Sequence, residues 1–285
     1  MHDYFCGWYY KCQSERETLA IIPAVHRTGG STTCSIQLIT EAASWSVPFP
    51  GSALREEGGQ VIIGQNRFGP QGLHLELRAP GLFAAGTLRF GPFTPLHYDI
   101  MGPLRYVPFL ECRHSVFSMR HTVAGTLQIN GVPRVFQSGT GYVEGDRGRS
   151  FPKGYVWTQC ALSDGAVMLA AADIPWGGLH FTGITAAVLW KGRQYRLATY
   201  LGAKAVDIQN GAVTIRQGRA SLTARLLEPS GQALRAPAGG AMVRTIHEHA
   251  ACRAFYRFQL GKDILFSLEV PNASFEYEFP KEASV

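Results

Sequence analysis

Apolar and polar positions alternate with a period of two along most of this chain, the pattern of strands that bury one face. The segment Gly125-Thr126-Leu127-Gln128-Ile129-Asn130-Gly131-Val132 shows it and ends in Asn-Gly. That dipeptide is a strong hairpin signal, because both central positions of a type I′ turn need positive φ. Asn210-Gly211 predicts a second tight turn, and Lys262-Asp263 a third between Phe255–Leu260 and Ile264–Val270. Gln194–Leu201, Ala212–Arg216 and Ala220–Leu227 read as successive strands. No long window keeps a 3.6 period with caps, so helices should be few and short. The Pro-, Gly- and Ser-rich stretch Glu41–Glu57 reads as a loop.

Several strand patterns occur twice. Gly7-Trp8-Tyr9-Tyr10-Lys11-Cys12 and Gly154-Tyr155-Val156-Trp157-Thr158-Gln159 both open on glycine and set large aromatics two apart, 147 positions from one another. Leu19–Ala24 returns as Val167–Ala172, and Leu73–Arg78 as Ser221–Leu226, each 148 positions on. Toward the end of each half, Glu111-Cys112-Arg113-His114 precedes two strands and Gly141-Tyr142-Val143-Glu144, while Ile246-His247-Glu248-His249 precedes two strands and Phe275-Glu276-Tyr277-Glu278. Recurrence at one spacing predicts a duplicated all-β unit. The boundary falls near Asp146–Pro152, giving halves 1–146 and 147–285. Antiparallel hairpins in units of this size predict two lipocalin-like barrels or strongly curved sheets.

Composition supports two real cores. The 285 residues are 46% hydrophobic and 11% aromatic, and the 32 Gly and 16 Pro are spread as turns rather than gathered in a linker. The net charge of +6 comes without a Lys/Arg cluster, which argues against a nucleic-acid partner and leaves a mild attraction to anionic ligands or membrane surfaces. Six cysteines form no CxxC pair, and the N-terminus lacks the form of a secretory signal. The expectation is a cytoplasmic protein with reduced thiols, soluble or resting on a membrane surface. Its longest apolar stretch, Ala166–Ala172, is too short to span a bilayer.

Common catalytic signatures are missing. Gly139-Thr140-Gly141 does not continue as GxGxxG, and there is no Walker lysine, GxSxG elbow or HExxH. His247 and His249 fall on one side of a predicted strand, as metal ligands would. Ala250, Ala251, Cys252, Arg253 and Ala254 follow with no further carboxylate ligand, so no metal site is expected.

The segment at the junction of the halves, Gly141-Tyr142-Val143-Glu144-Gly145-Asp146-Arg147-Gly148-Arg149-Ser150-Phe151-Pro152-Lys153-Gly154-Tyr155-Val156-Trp157-Thr158-Gln159-Cys160, is similar to a run in the tocopherol cyclase family. Members of that family carry Tyr-x-Glu, Phe-Pro and Trp-x-Gln-Cys in this order. They also open on a strand resembling Phe5-Cys6-Gly7-Trp8-Tyr9-Tyr10-Lys11. Two departures stand out: Arg147-Gly148-Arg149-Ser150 replaces a Trp-Gly-Gly-Gly run of the plant members, and Asp146 replaces an amide. The resemblance implies a two-unit lipocalin-like fold related to carotenoid hydratases. It also implies cofactor-free closure of a prenylated hydroquinone into a chromanol, with a hydrophobic isoprenoid or quinol-type molecule as partner.

Such chemistry places a proton on a trisubstituted double bond, and phenol or water captures the tertiary cation. It needs a carboxylic acid kept protonated by burial, aromatic faces to shelter the cation, and little water. Glu144 and Asp146, two apart on one strand face, are the candidate acids, with Glu111 in reserve and His114 as a relay. Trp8, Tyr10, Tyr142, Tyr155, Trp157 and Gln159 are the candidate ligand contacts. Plainer readings stand beside these: Asp146 paired with Arg147 or Arg149 at a hairpin end, the aromatics as core packing, and His114 as a structural histidine. A carrier that binds a hydrophobic ligand without transforming it, or an assembly role, would fit the same fold.

Overall fold

The computed structural model describes residues 3–108, 110–176, 178–228 and 231–279, and the structural statements below concern those residues. Apart from three short 3₁₀ turns at Gly51–Ala53, Gly102–Tyr106 and Thr199–Leu201, the regular structure is extended. No helix is long and apolar enough to cross a membrane.

The first sheet has eleven strands: β1 (Tyr4–Gln13), β2 (Thr18–Thr28), β3 (Ser31–Thr40), β4 (Ser44–Pro50), β5 (Leu54–Glu57), β6 (Gln60–Ile63), β7 (Asn66–Gly69), β8 (Gly72–Ala79), β9 (Leu82–Phe90), β10 (Cys112–Ile129) and β11 (Val132–Gly148). They lie antiparallel in the order β4-β3-β2-β1-β11-β10-β9-β8-β7-β6-β5. The second sheet has ten: β12 (Tyr155–Leu162), β13 (Gly165–Trp176), β14 (Leu179–Trp190), β15 (Arg193–Ala198), β16 (Lys204–Gln209), β17 (Ala212–Gln217), β18 (Ala220–Leu226), β19 (Gln232–Ala238), β20 (Ala241–Leu260) and β21 (Asp263–Tyr277). Their order is β15-β14-β13-β12-β21-β20-β18-β17-β16, with β19 on β20. Neither order returns to its first strand, so neither sheet closes into a barrel among the described residues. In both, the first strand pairs with the last, and the same outward walk follows, as a duplicated all-β unit requires.

Pairing corrects the details of the repeat. Tyr9 stands opposite Glu144, and Trp157 opposite Glu276. A uniform spacing of 148 therefore matches Tyr9 to Trp157, Cys12 to Cys160 and Gly7 to Tyr155. The alignment of Gly7 with Gly154 was one residue out, and a one-residue slip in a strand exchanges its two faces. Strand β18 lies beside β20 as β9 lies beside β10, so the counterpart of β8 (with Leu73–Arg78) is β17 rather than β18.

Asn130-Gly131 and Asn210-Gly211 form the predicted turns, with φ of 50° and 80° in the first and 51° and 73° in the second. The third turn lies one residue earlier than predicted, at Gly261-Lys262, where Gly261 takes φ 62°. The predicted loop Glu41–Glu57 is instead mostly strand. In β4, Trp45, Val47 and Phe49 oppose Leu38, Ile36 and Cys34, and an edge strand tolerates Pro48 and Pro50 because its outer amides have no partner to lose.

The chain separates into two compact units, Met1–His97 with Cys112–Ser150 and Leu234–Thr245, and Tyr98–Glu111 with Phe151–Ala233 and Ile246–Val285. Each half thus lends a segment to the unit built mainly from the other. In the first unit the Gln37 amide grips the borrowed hairpin, accepting from Arg235 N–H and donating to its carbonyl, both at 3.0 Å. In the second, Arg196 donates to the carbonyls of Asp99 (2.6 Å) and Tyr98 (2.7 Å) and stacks over the Tyr98 ring.

Each unit has its own apolar core. The first gathers Tyr10, Cys12, Leu19, Ile21, Leu75, Leu127 and Val143 on one face of its sheet. The second gathers Val156, Cys160, Leu169, Val213, Tyr256 and Phe275. None of the six cysteines is in a disulfide, and four are buried.

Candidate functional site

The hairpin of β10 and β11 carries the candidate acids. Its register sets His114 opposite Asp146 and Val116 opposite Glu144. On the other side of β11, strand β1 sets Gly7 opposite Asp146, Tyr9 opposite Glu144 and Lys11 opposite Tyr142. Side chains alternate across a strand, so Tyr142, Glu144 and Asp146 share one face while Val143 points into the core. The acids therefore lie on the face of the sheet turned away from that unit's core, and Glu144 is nevertheless only 4% exposed.

Five side chains converge there. The His114 ring sets Nδ1 3.0 Å from Asp146 Oδ1 and Nε2 3.3 Å from Glu144 Oε2. The Tyr142 hydroxyl donates to Glu144 Oε2, and the Cys112 thiol donates to Asp146 Oδ1 at 3.5 Å. Burial pushes the Tyr142 phenol well above its ordinary pKa, and the neighbouring charges of Glu144 and Asp146 push the same way. Tyr142 therefore keeps its proton and acts as a fixed donor to Glu144. A neutral imidazole has only one N–H, whereas here each ring nitrogen meets a carboxylate oxygen. The Nδ1 contact with Asp146 is a hydrogen bond, whereas Nε2 stands at ion-pair distance from Glu144 without hydrogen-bond geometry. A proton on the ring would place an imidazolium between the two carboxylates.

His114, Glu144 and Asp146 are also the trio among the described residues whose donor atoms, all within 4.8 Å, are close enough to share a metal ion. Metal binding would require the ring to give up a carboxylate contact it already makes. The arrangement fits a proton relay better than a coordination sphere.

The other predicted residues are placed as follows. Asp146 turns to His114 and Cys112 rather than to Arg147 or Arg149. Glu111 is exposed just ahead of β10 and takes no part in the cluster. Tyr10 is buried in the core, 5.8 Å from the Phe68 ring and 6.1 Å from Phe90, and Trp8 packs against that core. Both lie on the sheet face opposite the acids. Tyr155, Trp157 and Gln159 are buried on one face of β12 in the second unit, where the Tyr155 hydroxyl donates to Glu276. The slip in the repeat explains this split, since it moves the two aromatic pairs to non-equivalent faces. His247 is exposed, whereas His249 is buried with Nδ1 3.0 Å from the Phe275 carbonyl, so the two do not converge as metal ligands.

Two residues of the acid face went unpredicted, Tyr9 and Lys11. Lys11 is 1% exposed. Its signal was a lysine inside an otherwise apolar strand, but only the pairing of β1 with β11 sets it beside Tyr142.

No family model matches this sequence, and no curated protein matches it. Solved structures do match. Kievitone hydratase from Nectria haematococca aligns with a TM-score of 0.57 at 9% identity, over 98% of this chain and 89% of its own. CghA aligns at 0.59 and 10%, over 99% of this chain and 90% of its own. CghA with Sch210972 aligns at 0.59 and 10%, over 97% and 89%. At such identity the likeness is one of fold, and it runs through both units.

Proposed function

We propose that this chain is a cofactor-free enzyme that protonates a carbon–carbon double bond in a hydrophobic small molecule and so cyclises or hydrates it. The observation carrying this reading is the His114 ring between Glu144 and Asp146, beneath the Tyr142 hydroxyl, on a buried sheet face. The relay delivers its proton to the less substituted alkene carbon, forming a tertiary cation. A phenol oxygen of the same substrate, or a water, attacks that cation and gives its proton back to the relay. The trio ends as it began, and the net change is ring closure or addition of water. Burial supports this role, because it withholds competing water and strengthens each charge–charge contact.

The resemblance to tocopherol cyclases favours a prenylated quinol or related isoprenoid as substrate. That one neighbour of the same fold is a hydratase, and another was solved with Sch210972, is consistent with the reaction class. Glu144 is the proposed proton donor, with His114 and Asp146 as its relay and Tyr142 as its anchor. Trp157 and Gln159 remain proposed ligand contacts of the second unit.

The test is incubation with prenylated quinols and other isoprenoids, with products detected by mass spectrometry, for the natural chain and for Glu144→Gln, Asp146→Asn and His114→Asn. Turnover lost in Glu144→Gln with the fold intact supports the assignment. Unchanged turnover in all three variants rejects it, and tight retention of an isoprenoid without product supports a carrier instead.

A further inference from the structure

Lys11 is a buried ionisable group that the proton relay leaves without a role. It lies on β1 opposite Tyr142 on one side and Ala20 on the other, and two residues from Tyr9. The charged and titratable groups that the register sets around it on this face are Tyr142 and Glu144 on β11 and Tyr9 on β1. One row further come Asp146 on β11 and His114 on β10. Glu144 is its diagonal neighbour, at a Cβ separation of roughly 7–8 Å that a long side chain bridges.

Charge balance gives this placement meaning. Glu144 and Asp146 would carry two negative charges if both ionised, and a protonated His114 would cancel one. Buried charge left without compensation is costly, and an uncompensated anion would hold its proton tightly. A lysine ammonium a diagonal step from Glu144 offsets one of these negative charges. It also makes the shared proton easier to release.

We propose that Lys11 is a positioning residue for the relay, whose positive charge offsets one carboxylate so that the proton held among His114, Glu144 and Asp146 can be given to substrate. This rests on the acid-relay reading only in supposing that turnover uses that proton; the electrostatic coupling itself does not depend on it.

Nitrogen-15 NMR separates the two. In the natural chain the Lys11 side chain should read as an ammonium at pH 7, and a neutral amine there overturns the proposal whether or not any variant folds. In Lys11→Met, removing a positive charge stabilises protonated His114, so its titration should rise by on the order of one pH unit. Lys11→Arg should keep it near the original value. An unmoved His114 titration in folded Lys11→Met overturns the proposal. In the turnover assay the alkaline limb of Lys11→Met should rise in step and kcat fall about tenfold, the mark of a weaker acid. Should Glu144→Gln retain turnover, the relay reading fails, while the His114 titration still decides the role of Lys11.

Discussion

Glu144 in the first unit and Glu276 in the second occupy matching positions, on the strand that pairs with the first strand of each sheet. Both are buried, and both accept a tyrosine hydroxyl. Their surroundings then diverge. Glu144 opposes Val116, two residues after His114, whereas Glu276 opposes Glu248, two residues after the buried Ile246. The tyrosines differ in origin too. Tyr142 stands on the carboxylate's own strand, opposite Lys11, while Tyr155 comes from β12 at the position held by Gly7 in the first unit. A buried glutamate under a tyrosine is thus common to both units, but a histidine joining it to a second carboxylate belongs to the first. That histidine is why the proposed proton transfer is placed in the first unit.

The largest expected effect comes from breaking the acid itself. Glu144→Gln should lower turnover on the order of 10³-fold, within the range for loss of a positioned acid. Glu276→Gln should stay within about tenfold of the natural chain, because Ile246 stands where the first unit has His114. Equal losses would erase the distinction between the units. Next comes the exchange of the distinguishing residue. His114→Ile writes the second unit's side chain into the first and should cost about 10²-fold in turnover, with the fold retained but thermal unfolding lowered because both carboxylates lose a partner. Ile246→His in that background should restore nothing, since Glu278 engages the His247 amide at 3.0 Å.

How much of this was legible in the sequence follows from which interactions are local. Hairpin turns are set by a few adjacent residues, so Asn130-Gly131 and Asn210-Gly211 were readable directly. The duplicated strand walk was readable because both halves keep the same alternation. The exact register was not, since aromatics at Trp8/Tyr10 and Tyr155/Trp157 produce a convincing match one residue out. Pairing with β11 and β21 fixes the register instead, and those partners lie more than a hundred residues away along the chain. Glu144, Asp146 and His114 were nameable from the junction motif. Lys11 was not, because its meaning depends on that same long-range pairing. Glu41–Glu57 misled because prolines that usually mark a loop also suit a strand at a sheet edge.

The units also differ in where their buried histidines stand, the second having His249 on β20. Burial holds His26 and His121, both in the first unit, down at about 4 from an ordinary value of 6.5. His26 Nε2 meets Ser35 Oγ at 3.0 Å, and His121 packs 4.7 Å from the rings of both Phe90 and Phe93. In the second unit, Cys252 takes the place of His121, opposite Ala273 as His121 is opposite Gly141. The sign follows from the depressed values. Between pH 6.5 and 4 the unfolded chain binds protons that the folded histidines refuse, so stability is full above that window and falls as pH drops through it. Each histidine accounts for on the order of 2–3 kcal/mol at the bottom of the window. Hydrogen exchange recorded from pH 7 to 4.5 should show protection falling earlier in β2, β3 and β10 than in β13 and β14, which carry no buried histidine among the described residues. Replacing His121 with Phe should reduce the difference, and parallel loss in both sets would refute the account.

The smallest effect concerns the segments that the halves exchange. Gln37 holds the hairpin Leu234–Thr245 through two hydrogen bonds to Arg235, much as Gln217 in the second unit accepts from Ala198 N–H at 2.9 Å and donates to the Arg196 carbonyl at 3.1 Å. The two glutamines nevertheless do different work. Gln217 ties together strands of one continuous stretch of its unit, whereas Gln37 ties in a hairpin nearly two hundred residues away in sequence. Gln37→Ala should cost about 1–2 kcal/mol, the usual scale for losing two neutral hydrogen bonds with partial resolvation of the freed backbone. The loss should be local, because Gly240 donates separately to the Arg149 carbonyl at 2.7 Å and Gly239 to Ser150 Oγ at 2.8 Å. Exchange of the Arg235 amide should therefore accelerate while that of Gly240 changes little. If both amides accelerate together, the hairpin is held as one cooperative piece and Gln37 is its principal fastener; if neither does, apolar burial of Leu234 and Ala236 outweighs the hydrogen bonds.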